Sequence, residues 1–185
     1  KIWKMTLEES LFEVTDPRRL QGQRLTKMQL FSIIIISNLC GHLGGRPIAR
    51  FAKIHSKLFR EKLGLKHPIP SHVTFSTMIN TVDQTELIIA FKKWTKAYVP
   101  IKKGTALSAD GKALKSTLIG KRYSKNQDFQ AIVSVFCQKS GLVYSLETYR
   151  NRKKSEVHVV QFLINELKEM GVTLFLDALH TKKNS

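Results

Sequence analysis

Acidic residues are scarce in this chain: 14 Asp and Glu stand against 31 Lys and Arg in 185 residues, a formal charge of +17. A basic excess of that size argues about partners rather than fold, and favours nucleic acid or an anionic membrane surface. The bland alternative is a merely basic soluble protein. Cysteine is scarcer still. Cys40 and Cys137 sit far apart in apolar contexts, with no CxxC pair and no Cys/His ligand spacing. That argues against a zinc site and fits a reducing compartment. Long apolar runs are also missing. Phe31 to Cys40 falls short of the roughly 20 residues that span a bilayer, and lies too deep in the chain for a signal peptide. It reads as a buried helix. No internal repeat or low-complexity segment is present.

What is there changes period near Val99. Before it the pattern is helical. Asp16-Pro17 supplies a capping side chain and a first-turn proline, a helix start. Thr26 to Leu43 reads as an apolar helix closed by Gly44-Gly45. Pro47 opens a further helix that runs to about Leu63 and is stopped by Gly64. Pro70-Ser71 starts a short one to about Asn80, and Asp83 caps Gln84 to Tyr98, which Pro100 ends. After Ile101 the period is that of strands: Thr105–Ala109, Phe129–Cys137, a turn at Lys139-Ser140-Gly141, then Leu142–Tyr149. Gly120 to Asn126 reads as a basic loop. Ser155 caps a helix with Val157, Val160, Ile164, Leu167 and Met170 on one face; Gly171 ends it, and Val172–Leu176 is a last strand. The expected architecture is α+β, with a helical domain over 1–100 and a sheet domain over 101–185. A hairpin-linked antiparallel trio followed by a helical crossover places the fourth strand parallel to a member of the trio.

Two strands each deliver an aspartate, Asp110 and Asp177. If the fourth strand lies beside the first, both acids reach the same sheet edge, as a shared hard cation requires. Alone, Asp110-Gly111 is also an ordinary turn pair, and Asp177 also a helix cap. Paired carboxylates suit two-metal phosphoryl chemistry. A third acid normally completes such a cage; Glu147 and Glu156 are the candidates, with Glu156 better read as support for its helix start. His180, three residues past Asp177, is an accessory candidate.

The second signal is charge spacing. Arg46, Arg50, Lys53, Lys57 and Arg60 recur every four or three residues, so one continuous helix would carry all five on one face. Ile48, Phe51, His55, Leu58 and Phe59 would fall largely on the other. Such a helix suits a phosphate backbone; a plain solvated face and a membrane-surface helix are the alternatives. Arg150, Arg152, Lys153 and Lys154 form a second cluster after the third strand. With Lys112 and Lys115 beside Asp110, these complete the residues expected to meet DNA.

In this order the segments resemble the DDE transposases of bacterial insertion sequences, in particular the H-repeat-associated group. The resemblance rests on Asp16-Pro17-Arg18 with Gly22-Gln23-Arg24, on Pro70-Ser71 with Thr74, and on Asp110-Gly111-Lys112 with Lys115-Ser116. It continues in Lys153 to Glu156 and in Leu176-Asp177-Ala178 with His180, and so covers nearly the whole chain. It implies a ribonuclease-H-like catalytic domain, with Asp110 and Asp177 as the first two acids of its triad and Mg²⁺ (or Mn²⁺) as cofactor. It implies strand cleavage and transfer on the terminal inverted repeats of an insertion sequence. A bacterial, nucleoid-associated setting and a homodimeric intact enzyme follow from the same likeness. In that family Glu156 matches a recurrent glutamate but not the third catalytic acid, which lies well beyond the second aspartate; Lys182 stands where glutamine is frequent. The expectation is therefore a truncated ribonuclease-H-like fold: an N-terminal transposase portion that binds DNA without cutting it. The alternatives are a non-catalytic DNA-binding regulator of intact transposase and a nuclease of another pathway.

Overall fold

The computed structural model describes residues 5–21, 23–119, 128–150 and 156–176. The expected loop over 120–126, Ser155, Asp177, His180 and the Arg152–Lys154 cluster lie outside them. Two compact units emerge, one spanning Thr6–Ala90 and one built on the chain from Phe91 onward. The division falls inside a helix, Gln84–Tyr98, called α6 below.

The first unit is helical: α1 (Leu7–Leu11), α2 (Lys27–Leu39), α3 (Gly45–Ile54), α4 (Ser56–Leu63), α5 (His72–Thr81) and the start of α6. Local chemistry sets most starts. Thr6 with Glu9, and Thr26 with Gln29, each form a reciprocal capping box, which satisfies amides left without an intrahelical acceptor. Asp83 caps α6 by accepting from the amides of Thr85 (2.7 Å) and Glu86 (3.0 Å). In α2 the run of four isoleucines is intrinsically a poor helix former. Burial overrides that preference: Leu30, Phe31, Ile33 and Ile34 enter the core, each contributing roughly 1.5–3 kcal/mol. Ser37 is buried among them, its hydroxyl donating to the Ile33 carbonyl at 2.7 Å. Ile48, Ala49, Ala52, Phe59, Phe75 and Met78 join them in this core.

Three readings are corrected here. Asp16-Pro17 starts no helix. The Asp16 carboxylate turns onto the Arg18 amide (3.0 Å) and guanidinium (3.0 and 2.7 Å), a side-chain turn that competes with helix formation. Helix α2 stops at Leu39, short of Leu43, because Gly41 takes φ 83° and lets the His42 amide reach back to the Ser37 carbonyl at 2.9 Å. The single helix expected from Pro47 to Leu63 starts two residues sooner, at Gly45, and is broken at His55, where φ −96° and ψ 23° divide α3 from α4.

The second unit is a four-stranded mixed sheet with helices on it: β1 (Ala106–Ile119), β2 (Asp128–Cys137), β3 (Leu142–Arg150), α7 (Glu156–Leu167) and β4 (Thr173–Leu176). The strand order is β3-β2-β1-β4, with β1, β2 and β3 antiparallel in sequence and β4 parallel to β1. This meets the expected trio, crossover and parallel fourth strand. Alternation sends Leu107, Ala109, Val133, Val135 and Cys137 to one face, where they pack with Val159, Val160, Leu163 and Leu167 of α7. Val160, Ile164 and Leu167 lie on that face as expected, but Met170 belongs to a following 3₁₀ turn and is partly exposed. Gly171, at φ 60°, closes the turn and accepts from the Gly104 amide at 2.7 Å, which aligns β4 against β1. Among the described residues no helix is long and apolar enough to cross a membrane.

Candidate functional site

Asp110 lies inside β1 rather than at its end, as the Asp-Gly pair had suggested. Long-range pairing overrides the local turn preference: Asp110 pairs with Ser134 and Gly111 with Val133, and β1 continues. The position still marks a boundary. The parallel ladder runs from Ala106↔Thr173 to Ala109↔Leu176, so Asp110 is the first residue of β1 beyond the described end of β4. Its side chain is exposed. Ala109 points into the α7 core, so alternation turns Asp110, with Ser108 and Lys112, to the opposite face. Lys112 is exposed there. Lys115 and Glu156 fall in β1 and α7, but their side chains are not among those described.

Glu147 does not join Asp110. The register aligns Glu147 with Val133 and Val133 with Gly111, on the buried face. There Lys92 of α6 forms an ion pair with Glu147 and lies 3.6 Å from Glu166 of α7. A second tie is the Thr95 hydroxyl, which donates to the Tyr144 carbonyl at 2.7 Å. These contacts bind α6 and α7 to β3, so Glu147 serves the fold. Among the described residues no group of three or more His, Cys, Asp or Glu is placed to hold a metal ion. Arg150 is half-exposed and reaches Asp128 at 3.4 Å.

In the helical unit, Arg46, Arg50 and Lys53 are exposed on α3, and Lys57 and Arg60 on α4. The break at His55 means they form two basic faces in succession rather than one stripe. No acidic residue occurs on α3, so its face is wholly cationic, whereas α4 carries exposed Glu61 one turn after Lys57. The break has a partner that spacing alone missed. Phe51 lies between two tilted imidazoles, with ring centroids 4.6 Å from His42 and 4.5 Å from His55. Their rings help line a cleft of about 320 Å³ beside Arg46, Arg50 and Ile54. The only sequence hint was the four-residue spacing of Phe51 and His55.

Two distant segments also converge. Arg18 and Arg24 line a cleft of about 440 Å³ together with Pro70, Ser71 and Thr74 at the start of α5. Arg18 is fixed by its carboxylate partner and by the Leu25 carbonyl, to which both terminal nitrogens donate at 3.1 Å. Burial acts to raise the Asp16 carboxyl. The Arg18 side chain and amide, aided by Lys27, outweigh it and hold the group below the usual carboxylate range.

A cationic helical unit and an exposed aspartate on the central pair of a mixed sheet define an α+β protein with the charge to meet a polyanion. Residues 8–95 match the family model described as DDE_Tnp_1-associated, the N-terminal region associated with DDE transposases. The chain thus carries a transposase-associated region. It is also similar to an uncharacterized protein of the dhlA 3′ region of Xanthobacter autotrophicus, 25% identical over 173 residues. That match covers 92% of this chain but 57% of the relative, so the chain spans little more than half of that protein's length.

Proposed function

We propose that this chain supplies the DNA-holding region and the first two metal-ligating acids of a DDE transposase with a ribonuclease-H-like sheet. The observation that carries the reading is the parallel register of β1 and β4. Ala109 lies opposite Leu176, and in the sequence each is followed by an aspartate, Asp110 and Asp177. Paired strands run about 4.8 Å apart, and one residue advances the chain by at most about 3.8 Å. On that spacing, the position of Asp177 directly after Leu176 in the sequence supports a shared site for the two acids.

That donor set fits magnesium, which is held by one or two carboxylates with water and substrate phosphate in its other positions. Asp110 and Asp177 would hold the ion, which when bound neutralises charge on the phosphodiester under attack. The remaining work belongs to this chain's cations. Lys112 stands on the same face as Asp110, where it can bind a DNA phosphate. The α3 and α4 cations bind DNA backbone through the helical unit, and the expected substrate is the terminal inverted repeat of an insertion sequence. Glu147 is committed to Lys92 on the opposite face, which removes it as a third acid and supports the reading that these 185 residues bind DNA without nicking it. The same commitment favours, as a second reading, a regulator that binds DNA and cuts nothing.

Two measurements test this. Mn²⁺ titration followed by electron paramagnetic resonance should show an ion bound by the wild-type chain and lost in Asp110→Ala. Unchanged binding in the variant refutes the acid pair and leaves the regulator. A supercoiled-plasmid assay in Mg²⁺ should show binding without nicks. Robust nicking abolished by Asp110→Ala would overturn the incompetence of the 185-residue chain.

A further inference from the structure

Residues 68–82 contain no Asp, Glu, Lys or Arg, in a chain where 24% of residues are charged. The segment is not buried. It includes all of α5, whose Phe75 and Met78 enter the core while His72, Val73, Thr77 and Asn80 are exposed. Solvated helix faces are ordinarily charged. Here Val73, Thr77 and Asn80 follow one another at four and three residues, so a single outward stripe carries a methyl-bearing group, a hydroxyl and a carboxamide.

The neighbouring helix supplies the missing charge. α3 meets α5 backbone to backbone: a Cβ at Gly45 would lie 2.6 Å from the His72 carbonyl oxygen and 2.0 Å from Ser76 Oγ. That contact occupies the His72–Ser76 side of α5 and leaves the Val73–Thr77–Asn80 side open. Arg46 follows Gly45 directly, and Arg50 comes one turn later; both are exposed. Closely packed helices lie within about 8–10 Å of each other. The major groove is about 12 Å wide and is walled by phosphate strands. A neutral, hydrogen-bonding helix with a cationic helix beside it matches that cross-section. Cations position a protein on the backbone, whereas base edges are read by carboxamide, hydroxyl and methyl groups.

We propose that α5 is the sequence-reading helix of this protein, with Val73, Thr77 and Asn80 meeting base edges in the major groove of duplex DNA. Arg46 and Arg50 hold a bordering phosphate strand. The inference rests on DNA being the partner, and adds which residues confer sequence preference. Asn80 suits an adenine edge, Thr77 accepts or donates to either base type, and Val73 suits a thymine methyl.

The test is selection of binding sites by the 185-residue chain from a pool of duplexes with a randomised central segment, read by sequencing. The wild type should enrich a short motif. Asn80→Ala and Thr77→Ala, both at exposed positions, should each lose preference at one or two base pairs, roughly 5- to 100-fold per base. Arg46→Gln with Arg50→Gln should instead weaken binding to every sequence alike and flatten the salt dependence. Binding without any enriched motif, or an unchanged motif in the α5 variants, overturns the reading-helix assignment and leaves DNA binding intact. Failure to bind any duplex at low salt overturns both. Circular dichroism of each variant should match the wild type, since none of these side chains enters the core.

Discussion

Replacing Gly45 with alanine probes the contact on which both the helical unit and its proposed DNA face depend. Gly45 lies in the first turn of α3 with no left-handed backbone requirement, so helix propensity alone favours alanine by up to about 1 kcal/mol. Packing acts the other way. The added Cβ would stand 2.0 Å from Ser76 Oγ, 2.6 Å from the His72 carbonyl oxygen and 3.0 Å from the Ser76 amide. The hydroxyl can rotate away; the backbone of α5 cannot, and a carbon–oxygen contact ordinarily needs about 3.3 Å or more. α5 must therefore withdraw by roughly 0.7 Å, although Phe75 and Met78 on its other side are fully buried. Overpacking of this kind costs about 1–3 kcal/mol and exceeds the propensity gain. With the propensity gain subtracted, a net loss of about 1–2 kcal/mol at about 4–8 °C per kcal/mol should lower the melting temperature of the helical unit by roughly 4–16 °C. Thermal melts followed by circular dichroism read this directly. Adding Ser76→Ala should restore only part of the loss, because the carbonyl contact persists. An alanine variant as stable as the wild type, or more so, would refute the close approach of α3 and α5.

Acid should expose the role of Asp16. Its carboxyl is held below the usual range in the folded chain, so the stability it confers is present above the unfolded value of 3.8 and lost as pH falls through the lower folded one. Arg18→Met removes the guanidinium and leaves only the residue-18 amide and Lys27 to oppose burial, so the lowering shrinks and the acid-unfolding midpoint should move to higher pH. An unmoved midpoint would count against the Asp16–Arg18 pair as its source. In the sheet unit, Lys92→Met should cost about 1–3 kcal/mol in urea melts. That is below the cost of breaking a fully buried pair, because the side chains of Lys92 and Glu147 remain 14% and 25% exposed. The double variant with Glu147→Met should recover most of that loss. If it does not, Glu147 is not held chiefly by Lys92.

The parts of the fold that could be read from sequence were those set by nearby residues. Asp83 and Thr26 announce helix starts because a cap acts over three residues. The hairpin through Lys139–Gly141 and the crossover helix lead to a β4 that runs in the direction of β3, which is also that of β1, because a crossover returns the chain to the end of the sheet from which the strand started. The resemblance to transposases likewise came from local motifs. Residues 8–95 match the DDE_Tnp_1-associated region, which supports the N-terminal part of that reading.

Tertiary contacts decided the rest. His55 carries no breaker signal, yet the chain divides there, where its ring packs against Phe51. Asp110-Gly111 looked like a turn until pairing with Ser134 and Val133 drew it into a long strand. Glu147 looked free to join a metal cage, but Lys92, 55 residues away in sequence, claims it on the other face. The sequence by itself determined the charge, the caps, the order of elements and the pair of aspartates. Only the folded chain decided which face each side chain occupies and which partner it meets, because pairing register and burial depend on residues far apart along the chain.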